Sequence, residues 1–291
     1  MLHSTSRSAL CVVLLSRTLL RCEWLMANNE ETKRKETETS SLASITEFLP
    51  DTAAPPLAAD LAMGVPIPTF SSRYSEKSLY RKEKNKRALL ESVGLSYEPD
   101  APALGIVTRL SHQKGIELLE GALPRVLAAT NARFVALGNG EPRYESFLRG
   151  LAQQFPGRAV LWQGFHEKLA HMIEAGVDLF LMPSLYEPCG LNQMYSQRYG
   201  TPPIVRRTGG LADTVTPYDP RTGEGTGFVF DHFTAQGLEW AIGLALEAWR
   251  DRKAWTRLQK AAMARHFGWS ESAAAYVSLY QSMLPAEARH A

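Results

Sequence analysis

Cysteine is scarce in this chain: Cys11, Cys22 and Cys189 are its only three. Odd in number, widely separated and without a C-x-x-C pair, they make neither a disulfide framework nor a zinc-ligand set, and they suit a reducing setting. Long apolar runs are lacking as well. The longest near the start, Ala9–Leu15, is followed by Ser16, Arg17 and Thr18 and is too short to cross a bilayer. Neither sign of charge is in excess: 32 Lys and Arg against 30 Asp and Glu leave a net +2. No overall field therefore drives the chain onto nucleic acid or an anionic membrane, and any anion must be held locally. Neither G-x-x-x-x-G-K-S/T nor D-x-D, H-x-H or H-E-x-x-H occurs, so no nucleoside-triphosphate loop or metal-ligand set is visible. The seven histidines are scattered, without a Ser/His/Asp pattern. Neither a metal nor a cofactor is expected.

What is present sorts into three stretches. Residues 1–22 hold Arg7, Arg17 and Arg21 among Ser and Thr, with no acid before Glu23, loosely the composition of a transit peptide. The plainer reading is a leader ahead of Met26 that is untranslated or misassigned. Residues 27–64 begin with a mixed-charge run, Asn28 to Glu38, and end in Pro55-Pro56 and beyond. They bury too little apolar surface to offset their ordering entropy, so 1–64 is expected to be leader and disordered linker, with at most a short helix over Leu42–Phe48. Residues 65–100 form a connecting segment, and 101–291 the main domain.

From Ala103 the pattern becomes regular. Leu104–Thr108, Phe134–Leu137, Val160–Trp162, Asp178–Met182 and Pro203–Val205 are short apolar runs. Between them, Gly115–Ala129, Pro142–Phe155, Lys168–Ala175 and Leu191–Tyr199 space apolar residues as helices do. Continuous apolar strands alternating with helices predict a doubly wound parallel sheet covered on both faces, an α/β Rossmann-like fold. The tail, Ala235–Leu284, reads as nearly all helical, its Trp and Tyr residues serving to pack. In such a sheet ligands sit beyond the carboxyl ends of the strands, so the residues there carry the chemistry.

Four strand ends are polar or glycine-rich. Thr108–Gly115 sets Arg109 and Lys114 five residues apart around a helix start, where they could converge on a phosphate or simply flank a turn. Gly138-Asn139-Gly140 begins like a dinucleotide fingerprint, but Arg143 stands at the third glycine position, so a plain turn explains it as well. Pro183–Leu191 places Glu187 before Pro188, Cys189 and Gly190 at another helix start. There a carboxylate could sit beside exposed N–H groups, or act only as a first-turn acid. Cys189 has no base near it in sequence and suits a packed small residue better than a nucleophile. Arg206-Arg207-Thr208-Gly209-Gly210 is the fourth. On one sheet edge these segments describe a site for a diphosphate carrying a polar group.

Three of these segments carry a family resemblance: Thr108–Gly115, Pro183–Tyr195 and Tyr199–Val215. From about residue 66 onward the chain resembles the C-terminal domain of bacterial glycogen synthases and plant starch synthases. The resemblance implies one half of a two-domain GT-B glycosyltransferase that moves glucose from ADP-glucose to the non-reducing end of an α-1,4-glucan, with retention and without a metal. It implies that Arg109 and Lys114 neutralise the diphosphate, while Glu187 holds glucose hydroxyls near the N–H groups of Cys189, Gly190 and Leu191. Thr208 and Gly209 would approach the phosphates, and Phe165 would stack on the adenine. Tyr195 occupies the place where many related transferases carry a second Glu, as the glycogen/starch synthase type does. The family's acceptor-binding first domain has no counterpart in residues 1–65, so the resemblance implies a partner: a separate N-terminal synthase domain. The alternative is a non-catalytic module that binds ADP-glucose or glucan, or an idle remnant. UDP-glucose is the rival donor. A cytoplasmic site follows by analogy, or a plastid one if residues 1–25 are a transit peptide.

Overall fold

The computed structural model describes residues 72–283. The expectations placed on the leader, the polar linker and a helix at Leu42–Phe48 lie outside the described residues. Those described divide between two compact units, one ending at Arg265 and the other taking up from His266.

Alternation inside the continuous apolar runs builds the first unit. Strands β1 (Ala103–Val107), β2 (Arg133–Gly138), β3 (Ala159–Gln163), β4 (Leu179–Met182), β5 (Pro203–Arg206) and β6 (Phe228–Phe230) form one parallel sheet in the order β3-β2-β1-β4-β5-β6. Leu104 is in register with Phe134 on one side and Leu179 on the other. Successive side chains point to opposite faces. Leu104, Ile106, Phe134, Ala136, Leu179, Leu181 and Ile204 therefore fill one core, beneath helices α2 (Ile116–Ala129) and α7 (Ala235–Arg250). Ala103, Val135, Leu137 and Phe180 fill the other, against α1 (Lys82–Ser92) and α4 (Glu167–Gly176). Val205 and Val229 extend the second face beneath α6 (Gly209–Thr214). Each fully buried Leu, Ile or Phe contributes roughly 1.5–3 kcal/mol.

Helix ends follow local chemistry. Pro142 opens α3 (Pro142–Gln154) at its first position, where no N–H is needed. The Thr234 hydroxyl accepts from Gly237 N–H at 3.1 Å at the start of α7, and Asp251 caps α8 (Arg252–Met263) through the N–H groups of Lys253 and Ala254. Short α5 (Asn192–Arg198) completes the first unit's helices.

The tail is helical but broken, by the Asp251 cap and again before α9 (Trp269–Met283). Trp249 and Trp255 are buried as packing residues, whereas Trp240 is 60% exposed and packs little. In the second unit, α9 stacks the rings of Tyr276 and Tyr280 and leaves Val277 and Tyr280 exposed. No described helix is long and apolar enough to cross a membrane.

Candidate functional site

β1 connects onward to β2 on one side and β4 to β5 on the other, so the loops leaving neighbouring β1 and β4 diverge and open a crevice at their carboxyl ends. The loop after β1 tightens into a 3-10 turn, His112–Lys114, and enters α2 through Gly115. Gly115 has φ +71, and a Cβ there would lie 2.1 Å from the Pro183 carbonyl oxygen. Only glycine lets the two loops approach this closely. Leu185 N–H donates to the Gln113 carbonyl at 2.9 Å and Gln113 Nε2 to the Tyr186 carbonyl at 3.2 Å, which fixes the two loops together.

That closeness brings Lys114 Nζ to 2.5 Å from Glu187 Oε2. Ser184 Oγ donates to the same oxygen at 3.2 Å, and Ser184 and Glu187 are both buried. A cavity of about 80 Å³ lies over the pair, lined also by Thr108, Gly190, Leu191 and Asn192. Among its lining residues, Gly190 and Leu191 have N–H groups that meet no backbone acceptor among the described residues. A cation, a carboxylate and two residues with open N–H donors thus line one small space, suited to a group that is both anionic and hydroxylated.

The other expected residues sit around this centre. Arg109 is exposed, with no side-chain partner among the described residues, and Phe165 is 90% exposed beyond β3. With strands about 4.8 Å apart, β3, which leads to Phe165, lies roughly 10 Å to one side of β1. Thr208 precedes α6, and Gly210 N–H donates to the Glu187 carbonyl at 3.1 Å, so Thr208 and Gly209 lie against the Glu187 loop rather than on the cavity wall. Cys189 is half-buried off the cavity, its Sγ donating to the Gly190 carbonyl at 3.2 Å. Arg206 is spent on structure: it donates to the carbonyls of Ser184 and Leu185 and lies over Phe233, while Arg207 pairs with Asp231.

Gly138-Asn139-Gly140 is a loop crossing. Cβ atoms at Gly138 and Gly140 would meet the carbonyl oxygens of Thr108 and Leu110 at 1.9 and 2.1 Å, and Leu110 N–H donates to the Asn139 carbonyl. The glycines lock the β1 and β2 loops together instead of cradling a dinucleotide.

Sequence reasoning gave no role to three polar residues that build the site. Asn192 Nδ2 donates to the Val107 carbonyl at 3.0 Å, tying α5 to β1. Gln193, fully buried, donates from Nε2 to the carbonyls of Cys189 and Gly190 and to Thr214 Oγ1, which holds the Gly190 turn. Ser184 orients Glu187. The available signal is their place, Asn192 and Gln193 at the start of α5 and Ser184 just after β4.

Comparison with known proteins gives the family. The model of the family "Glycosyl transferases group 1" matches residues 95–262. Glycogen synthase of Bacillus cereus is 44% identical over 215 residues, and that of Anaeromyxobacter dehalogenans 49% over 218, covering 74% and 75% of this chain. The chain spans only 45% and 46% of those proteins. Among solved structures, the catalytic domain of starch synthase IV from Arabidopsis thaliana, bound to ADP and acarbose, superposes with a TM-score of 0.67 at 38% identity. That match covers 73% of this chain and 45% of the other. A sucrose-phosphate synthase from Thermosynechococcus elongatus shares the fold at 23% identity and a TM-score of 0.53. Crevice, loops and matches converge: the chain belongs to the group 1 glycosyl transferases, as a glycogen- and starch-synthase-type domain with the Rossmann-like fold of a GT-B C-terminal half.

Proposed function

We propose that this domain binds ADP-glucose and supplies the donor half of a retaining glucosyl transfer to an α-1,4-glucan. The observation that carries the reading is the Lys114–Glu187 pair at 2.5 Å, facing open N–H groups at the β1/β4 crevice. In this reading the glucose hydroxyls lie on Glu187 and on the Gly190 turn. Lys114 reaches the diphosphate beside them, and Arg109, unpaired at the mouth, takes up the second phosphate. Cations held in place where charge develops on the leaving diphosphate stabilise the transition state without reorganising. Phe165 offers its ring to the adenine, while Thr208 and Gly209 back the Glu187 loop close to the phosphates. No step calls for a metal.

Acceptor alignment supplies much of the rate in such a transfer. The domain spans 45% of its glycogen synthase relatives, so the glucan and an acceptor-binding half, on the same or another chain, complete the proposal. The cytoplasm, where nucleotide-sugar donors are made, is the proposed setting. A module that binds the donor without turning it over is the second reading, since the donor-side residues need nothing further to be assembled.

The test is calorimetric titration of the chain with ADP-glucose and UDP-glucose, repeated on Arg109→Ala and Glu187→Ala. ADP-glucose should bind more tightly, and each substitution should weaken it at least tenfold. A folded wild-type chain that binds neither donor removes the reading. Adding an acceptor half then separates the two forms: restored glucan extension supports the enzyme, and stoichiometric binding without extension supports the module.

A further inference from the structure

The opposite edge of the sheet carries a second concave site, and nothing in the donor reading uses it. Residues 73–87 hold seven Lys or Arg against two Glu, and residues 252–265 hold five with no acid. In a chain of net charge +2 this is a strong local concentration of one sign. The fold brings the two stretches together: α8 packs on the 3-10 turn Glu76–Arg81 that leads into α1. Between them lies a cavity of about 360 Å³, floored by Gly176 and Asp178 ahead of β4. It is therefore at the amino ends of the strands, across the sheet from Lys114 and Glu187.

Its walls are mixed in a useful way. Lys77 enters from the 3-10 turn, and Arg252 and Lys260 from α8; all three are exposed. Lys77 and Lys260 have no ion-pair partner among the described residues. Arg252 lies over the Trp249 ring at 3.9 Å and pairs at 3.9 Å with the exposed Asp100. Tyr80, 72% exposed, and the buried Trp255 supply apolar surface. The deepest cations are already engaged. Lys86 is 2.8 Å from Asp178, and Lys82 donates to the Ala175 carbonyl and Thr201 Oγ1. The acids on the walls, Glu76, Glu83 and that paired Asp178, are fewer than the cations. A cavity of this size accommodates a small metabolite. Cations from two separate elements beside an aromatic wall match a phosphoryl group attached to an organic body.

We propose that this cleft binds a small organic phosphate, at a site distinct from the donor crevice. The inference does not depend on the donor reading, because the two sites share no residue.

The experiment uses the full chain carrying Arg109→Ala, which weakens the donor crevice, at low ionic strength. Glucose 1-phosphate and inorganic phosphate are titrated separately by calorimetry. Glucose 1-phosphate should bind at one site, at least tenfold more tightly than inorganic phosphate. Adding Lys77→Gln and Lys260→Gln, both on the surface, should weaken it at least tenfold with an unchanged circular dichroism spectrum. No binding to the folded Arg109→Ala chain overturns the proposal, as does binding that the two glutamines leave intact. Equal affinity for inorganic phosphate overturns the assignment of an organic ligand.

Discussion

Lys82 is a cation placed where a cation is costly. It is buried, and its Nζ is satisfied by the Ala175 carbonyl at 2.6 Å and Thr201 Oγ1 at 2.7 Å, two neutral acceptors. Burial pulls its pKa down from 10.5 to about 7, with nearby Lys86 adding to the fall and Asp178 opposing it. The unfolded chain therefore binds more protons than the folded one between pH 7 and 10.5, and stability should rise with pH across that window. Half-buried Tyr74, whose hydroxyl donates to the Tyr199 carbonyl, is shifted upward by desolvation and acts the other way, removing stability above about pH 10. Urea unfolding of the wild type between pH 7 and 9 should show a gain on the order of 1 kcal/mol per pH unit, and Lys82→Met should flatten it. An unchanged slope in the variant would assign the titration elsewhere. The donor crevice behaves differently as text. Lys114 and Glu187 are legible because they stand beside Gly115 and Pro188 in loops, and Arg109 because it follows directly on the end of β1, where a charge has few structural duties. Ser184 and Gln193 are not. Buried amides and hydroxyls are defined by the carbonyls they reach, and those come from residues brought near only by folding.

Among the elements, the loop between β1 and α2 is the most tightly determined. Gly115→Ala would need a left-handed alanine and a Cβ 2.1 Å from the Pro183 carbonyl oxygen. Backbone strain and overpacking together should cost roughly 2–5 kcal/mol, and displacing the Pro183 loop should weaken donor binding in the same variant. Gly243 is the contrast, exposed within α7 with nothing within 4 Å of its would-be Cβ. Gly243→Ala should gain about 1 kcal/mol from helix propensity alone, read from the urea midpoint. The elements that sequence reading located are those with a period long enough to repeat, β1 to β5 and the helices between them. Three were not announced. β6 is three residues that follow Gly223, Gly225 and Gly227, a stretch whose glycines read as turn. α6 opens on Gly209-Gly210, against helix propensity, and stands because Leu211 is fully buried beneath it. α1 was read only as connecting chain, since charge hides its inward face. There Lys82, Asn85 and Lys86 are buried beside Leu89 and Leu90, and the partners Asp178, Ala175, Thr201 and Ser72 make that burial tolerable.

For the molecule as a whole, the donor crevice is tied to global stability. Its walls are the loops of β1 and β4, the two central strands, and the loops are fastened together by one backbone hydrogen bond, Leu185 N–H to the Gln113 carbonyl, and one from the Gln113 side chain. A ligand that fits this crevice has no counterpart site in the unfolded chain, where Lys114 and Glu187 lie 73 residues apart. Binding must then stabilise the fold by mass action, by about 2.7 kcal/mol at one hundred times the dissociation constant. For a domain of this size that is a rise in midpoint of roughly 5–11 °C. Thermal unfolding at fixed protein concentration should show ADP-glucose raising the midpoint steadily with the logarithm of its concentration, and UDP-glucose raising it less. Arg109→Ala should lower the response without lowering the ligand-free midpoint, because its side chain is exposed and pairs with nothing in the described structure. A shift that survives in Arg109→Ala but disappears in Lys77→Gln/Lys260→Gln would move the ligand to the opposite edge of the sheet. No shift at any concentration, from a chain that unfolds cooperatively, would mean that the crevice does not take the donor.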